Sequence, residues 1–150
     1  MEFRLARKED LTPDLCREIF SDALAYCKEV PEDVLTPGEV MNFFVNFCEG
    51  RITNPQFWLA FKGGKFVGYM ITQAILKDKM SGVNITQAYI HPDCRANGVA
   101  PYCMDVLSQK AKASGAQMIL CQRYGEADGF GRMLKKFGYS YRSTEFRKEF

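Results

Sequence analysis

"AYIHPDCRANGVAPYCMDVLSQKAKASGA", residues 88–116, decides how this chain is to be read. An apolar run stops at His91-Pro92, a short loop carries Arg95, Asn97 and Gly98, and a helix opens close to Pro101. The first turn of any helix has N–H groups without intrahelical acceptors, and the helix dipole places partial positive charge there. Gly98 and Ala100 keep side-chain bulk away from those donors, so an anion can approach them. Pro101 gives up only an N–H that the helix would not use, and its ring fixes φ in the first turn. Arg95 adds a charge-assisted donor worth about 1.5–3 kcal/mol when well paired. The set suits a pyrophosphate. An ordinary strand-to-helix turn with a surface arginine fits the same residues, and local chemistry does not separate the two.

Working outward, the pattern before this stretch has a period of two. "FWLAF" and "FVGYMITQAIL" flank Lys62-Gly63-Gly64-Lys65, a hairpin with a Gly-Gly turn. Lys77 to Gly82 reads as a polar turn, and "VNITQAYI" as a third long strand, so 57–90 forms an antiparallel meander. Further upstream the period is helical. Thr12 is an N-cap with Pro13 at the first helical position, for a helix reaching about Glu29. Thr36 and Glu39 form a capping-box pattern before Val40, Phe43, Phe44 and Phe47, and Gly50 ends that helix. Phe3 to Ala6 reads as a first strand. Downstream, the helix from Gly98 stops at Gly115, "QMILCQ" is a buried strand, and a helix near 127–137 stops at Gly138. The tail "YSYRSTEFRKEF" supplies one or two last strands.

The bulk numbers exclude several classes. The chain has 150 residues, and a domain of that size buries about 68–70% of its unfolded surface. Twenty basic against eighteen acidic residues leave +2, too little to argue for nucleic acid. The charged start, Met1 to Lys8, is no secretory signal, and no apolar run approaches the roughly 20 residues of a membrane span. With a single histidine and no Cys-x-x-Cys pair, a metal site is not expected. Cys16, Cys27, Cys48, Cys94, Cys103 and Cys121 read as reduced, mostly buried thiols of a cytoplasmic protein.

Arg95-Ala96-Asn97-Gly98-Val99-Ala100, between a strand ending in His-Pro and a helix, resembles the pyrophosphate loop of the GNAT family of N-acetyltransferases, with its Gln/Arg-x-x-Gly-x-Gly/Ala signature. The element order is similar over nearly the whole chain, and Phe137-Gly138-Tyr139 resembles a late family signature. The resemblance implies one α/β (α+β) domain over 1–150, with a mixed, mainly antiparallel sheet of six to seven strands and about four helices. It implies that acetyl-CoA is the donor. The backbone of Ala88, Tyr89 and Ile90 would hold its pantetheine arm where the fourth and fifth strands splay apart. Arg95, Ala96, Asn97, Gly98, Val99, Ala100 and Pro101 would wrap the diphosphate, and the Ile90 N–H would polarise the thioester. The acceptor would be a small-molecule or protein amine and the protein a monomer or homodimer. A non-catalytic member that keeps only the fold and the coenzyme cleft is the alternative.

Three proton-handling positions depart from the family's pattern. The usual tyrosine acid is matched by Leu134, a frequent upstream asparagine by Ala127, and a glutamate base by Asn84. Tyr124 at the end of the fifth strand is the replacement acid expected here, ahead of Tyr139 and Tyr141. Glu126 and Asp128 read as helix-entry residues, His91 as a strand-end residue or proton relay, and Cys94 as structural. Tyr26, Phe44 or Trp58 would line an acceptor pocket, with Glu29, Glu32 and Asp33 attracting a cation. Deprotonating an exposed lysine (pKa about 10.4) at pH 7 costs about 4.6 kcal/mol, an α-amine only about 1. Without a dedicated base, an acceptor other than a plain exposed lysine is expected.

Overall fold

The computed structural model describes residues 1–31, 33, 35–122, 129–142 and 145–150. Strand β1 (Glu2–Leu5) leads through a 3-10 turn into α1 (Pro13–Glu29) and α2 (Pro37–Cys48). The meander β2 (Gln56–Lys62), β3 (Lys65–Lys77) and β4 (Met80–Ile90) follows, then α3 (Val99–Ala113) and β5 (Met118–Gln122). The chain ends with α4 (Gly129–Lys136), β6 (Ser140–Arg142) and β7 (Glu145–Glu149). The seven strands form one sheet in the order β1-β2-β3-β4-β5-β7-β6, in which only the β4–β5 pair is parallel.

The helix starts follow from their caps. Thr12 Oγ1 accepts from the Leu15 N–H at 3.2 Å, and Thr36 and Glu39 satisfy each other's backbone donors at 3.2 and 3.3 Å. Gly63 and Gly64 both take positive φ, as the two-residue hairpin turn requires. The next turn is tighter than the sequence suggests: strand pairing continues to Lys77↔Met80, leaving only Asp78 and Lys79, both at positive φ. Cross-strand pairing outweighs the left-handed backbone of two non-glycine residues.

Helices α1 and α2 cover one face of the sheet, where Ile19, Val40, Phe44, Phe57, Tyr69 and Ile71 are buried. Helix α3 covers the other face, over Phe3, Trp58, Met70, Ile85 and Ile119, and Leu134 of α4 joins that side. Burial of each such side chain contributes about 1.5–3 kcal/mol. Phe3 and Trp58 stack at 5.0 Å on the α3 side, and Phe57 stacks on Tyr69 at 5.4 Å on the other. All six cysteines are free thiols. Cys48, Cys103 and Cys121 are buried and the other three half-buried. Among the described residues, no helix is long and apolar enough to cross a membrane and no cluster of metal-ligating side chains occurs.

Candidate functional site

Strand β4 is held on one edge along its whole length and on the other only over its first half. Ten of its residues are in register with β3, from Met80 to Ile90 with Thr86 left out. On the opposite edge the parallel ladder with β5 holds only Gly82–Ile85, ending at Ile85↔Cys121. Gln122 is still a strand residue but pairs with Glu145 of β7, not with β4. Among the described residues the β4–β5 pairing therefore ends at Ile85, and the edge from Thr86 to Ile90 has no partner strand there. Antiparallel pairing alternates the backbone groups between edges. His91 N–H donates to the Val67 carbonyl at 2.8 Å, so Ile90 and Ala88 turn theirs toward the open side, whereas those of Tyr89 face β3. Of the three expected coenzyme contacts on β4, two present their backbone outward.

The loop beyond this edge ends at the mouth of α3. Gly98 is its N-cap, at φ 76°, and offers no side-chain cap. A Cβ on Gly98 would meet nothing within 4 Å, so space lies open in front of the first turn. Val99 and Ala100 contribute first-turn N–H groups that have no intrahelical acceptor. Pro101 is the third residue of the helix, inside the first turn.

Arg95 is arranged differently from the free phosphate donor that the sequence suggests. Its Nε donates to the Ile90 carbonyl at 2.8 Å, and its Nη2 reaches both carboxylate oxygens of Glu29 at 3.0 and 2.9 Å. The guanidinium also lies over the Tyr89 ring, 5.2 Å from its centroid. The side chain thus ties the loop to the end of α1. Asn97 is likewise turned inward, its Nδ2 donating to the Asp93 carbonyl at 3.4 Å. A second tie lies alongside: His91 Nε2 and Asp22 Oδ2 are 2.9 Å apart. Asp22 sits on the buried face of α1 beside Ile19 and Ala23. Burial pushes its carboxyl up to about 6, against the pull of His91 and with a small push from Glu18.

The remaining sequence expectations divide. Trp58 lies on the α3 face, its Nε1 donating to Thr72 Oγ1 at 2.9 Å, and so cannot share an acceptor pocket with Tyr26 on the opposite face. Phe44 is wholly buried core. Tyr26 OH donates to Asp33 Oδ2 at 2.6 Å, so Asp33 has a partner, as has Glu29. Tyr139 is packed against the α3 side and burial pushes its phenol up, which leaves it a poor acid. The Cys94 thiol is also pushed up, by burial and by Asp93, the reverse of an activated nucleophile. Leu134 is fully buried, and Asn84 stands in the closed half of β4, opposite Leu120. Tyr124, Glu126, Ala127, Asp128 and Glu32 lie outside the described residues, as does the side chain of Tyr141.

No sequence motif marks the polar groups that follow the last β5 pair. Thr86 and Gln87 are neighbours there. Thr86 Oγ1 and Gln87 Nε2 are both buried without a hydrogen-bond partner, while Tyr69 OH donates to Gln87 Oε1. An unsatisfied buried donor costs about 1–3 kcal/mol. One usable signal was Asp22, an acid three residues after Ile19 on an apolar helix stripe. The bulge at Thr86 has no sequence signature.

A family model described as "Acetyltransferase (GNAT) family" matches residues 17–139. No curated protein matches the chain. Among solved structures, the PaiA N-acetyltransferase of Thermoplasma acidophilum in complex with coenzyme A is similar at TM-score 0.70 and 14% identity, over 99% of this chain and 98% of that one. A GNAT family acetyltransferase of Brucella melitensis in complex with acetyl-CoA gives 0.66 and 14%, over 99% and 87%. The ribosomal-protein-alanine N-acetyltransferase of Brucella melitensis biovar Abortus 2308 gives 0.68 and 16%, over 95% and 92%. At these identities the likeness is one of fold.

Proposed function

This chain belongs to the acetyltransferase (GNAT) family, and from that premise we propose that it transfers an acetyl group from acetyl-CoA directly to an amine in a ternary complex. One observation carries the reading: among the described residues the β4–β5 ladder ends at Ile85, and the open edge beyond it leads to a helix mouth whose first-turn N–H groups have no intrahelical acceptor. The residues present suit the donor. The first-turn N–H groups of Val99 and Ala100, with Gly98 leaving room, would take the diphosphate. The outward backbone of Ala88 and the outward N–H of Ile90, whose carbonyl Arg95 occupies, would pair with the amides of the pantetheine arm, as an added strand does. Arg95 supports this site by holding the loop to α1 and Ile90, so its contribution is to loop geometry.

The coenzyme supplies an activated acyl carbon, and the chain supplies position and hydrogen bonds. An outward N–H on β4 would polarise the thioester carbonyl. Direct attack forms the C–N bond and breaks the C–S bond, with no acyl-enzyme, in keeping with a Cys94 thiol that is not activated. The acceptor fits best as an amine of lower pKa than a lysine, such as an α-amine, because the positions matched to the family's acid and base are Leu134 and Asn84. Acceptance of an α-amine is also what the name of the ribosomal-protein-alanine N-acetyltransferase describes for that protein.

The test is thermal shift with acetyl-CoA, coenzyme A and ATP, followed by thiol release with α-amine peptides, small amines and lysine peptides. Stabilisation by acetyl-CoA and faster turnover of α-amines are expected. Stabilisation without turnover on any amine would assign a binding role, the reading that the buried Leu134 favours. No stabilisation would refute the coenzyme site.

A further inference from the structure

The outer edge of β4 changes character at one residue. Thr86 is the only position between Met80 and Ile90 that faces no partner on β3, because Ile85 pairs with Thr72 and Gln87 with Ile71. It is also the first residue past the last pair with β5 among the described residues. Such a two-against-one bulge leaves the extra residue outside the regular pairing. Its hydroxyl is buried there and has no hydrogen-bond partner. The neighbouring Gln87 has a partner on β3 and its amide oxygen is taken by Tyr69, so Thr86 is the less committed of the two.

We propose that Thr86 is a catalytic residue of the acetyl transfer, its hydroxyl donating a hydrogen bond to the thioester sulfur as the C–S bond breaks. The inference rests on the coenzyme reading above. An extended arm laid along the edge from Ile90 reaches Thr86 after four residues, about 13 Å at roughly 3.3 Å per residue. The far end of an arm anchored at the α3 mouth therefore meets Thr86, just past the last described pair of β4 with β5. In the step itself, the amine nitrogen forms the C–N bond and the C–S electron pair stays on sulfur. The amine proton passes to water, and Thr86 keeps its own proton. A hydrogen bond to an atom taking up charge is stronger than one to a neutral atom, so the contact favours the transition state over the bound donor. This is the task for which Leu134, at the family's acid position, has no proton to offer.

The experiment compares wild type with Thr86→Val, Thr86→Ala and Thr86→Ser. Acetyl-CoA affinity is measured by calorimetry, and kcat and acceptor KM by thiol release with an α-amine peptide. Thr86→Val and Thr86→Ala should lose about 10- to 100-fold in kcat, the range of one hydrogen bond to a charged atom. Acetyl-CoA affinity and acceptor KM should stay within about twofold and Thr86→Ser should recover most of the rate. Should Thr86→Val fail to fold, the Ala and Ser variants carry the comparison. Wild-type kcat in the variant lacking the hydroxyl, affinity falling in step with rate, or Thr86→Ser as slow as Thr86→Ala would each overturn the proposal. A wild-type protein that binds acetyl-CoA and acetylates no amine also overturns it while leaving the coenzyme site standing. One that does not bind acetyl-CoA removes both.

Discussion

The two halves of β4 are built on opposite principles. From Gly82 to Ile85 the strand is clamped on both edges, and a Cβ on Gly82 would come within 2.8 Å of Met118 Cγ. From Thr86 to Ile90 its partner among the described residues is β3 alone, and its neighbourhood changes to buried polar atoms, small residues and a helix mouth with open space at Gly98. The glycines make the contrast plain. Gly82, and Gly68 across from Ile90, leave no room for a side chain, whereas Gly98 takes a left-handed φ with nothing within 4 Å of where its Cβ would stand. A sheet interrupted in this way gives up ladder hydrogen bonds, and those groups become available to a ligand that can complete them.

The largest expected effect tests the open half. Gly98→Asp puts a negative charge where a diphosphate would sit, at a backbone conformation that aspartate tolerates better than most residues. Acetyl-CoA affinity measured by calorimetry should fall by more than about 100-fold, or about 2.7 kcal/mol. A change of less than tenfold would show that the anion is bound elsewhere.

The closed edge is tested next by Gly68→Ala. The new Cβ would stand 2.3 Å from the Tyr89 carbonyl oxygen, a backbone atom that no side-chain rotation relieves. Urea unfolding should show a loss of about 2–3 kcal/mol, against about 1 for Gly82→Ala, where Met118 can shift part of its side chain. Equal losses at the two sites would contradict this account of the edge.

The ties from α1 to the end of the open half give smaller effects. The folded Asp22 carboxyl stands near 6 against 3.8 for the free group, chiefly through burial. A raised pKa contributes stability that is complete below about 3.8 and is lost as pH rises through about 6. Relative to Asp22→Asn, the wild type should therefore gain about 1–2 kcal/mol in denaturant titrations between pH 7 and pH 4. A flat difference across that window would remove the buried carboxyl from the account. Smallest of all is Glu29→Gln. The Arg95–Glu29 pair is about two-fifths exposed on both sides, so its loss should cost less than about 1 kcal/mol in stability. Acetyl-CoA affinity should move by less than about threefold, because Arg95 retains its hydrogen bond to Ile90. A tenfold gain in affinity on freeing Arg95 would instead make its guanidinium the phosphate donor.

Much of the fold was readable because its signals are local. Thr12, Thr36 and Glu39 fix helix starts through bonds spanning three residues, and Gly50, Gly115 and Gly138 take the positive φ that ends helices. The period-two pattern marked β2, β3 and β4, and the Gly63-Gly64 pair set their hairpin. The site was readable only in part. Gly98 and the mouth of α3 could be recognised, but not that Arg95 turns to Glu29, 66 residues away, nor that His91 meets Asp22 at a separation of 69. Trp58 shows the same limit: its strand was plain, while the face it occupies depends on register with β1 and β3.

The amino-acid order alone specified the elements, their sequence along the chain and a glycine at the mouth of α3, since each depends on backbone preferences and hydrogen bonds over a few residues. The tertiary structure decided the register of β4 against β3 and β5, which hydroxyl is stranded at the bulge, and which charges are tied to α1. Those outcomes arise from pairings between segments tens of residues apart, settled by competition for the same edges and faces, and no short stretch of sequence contains that competition.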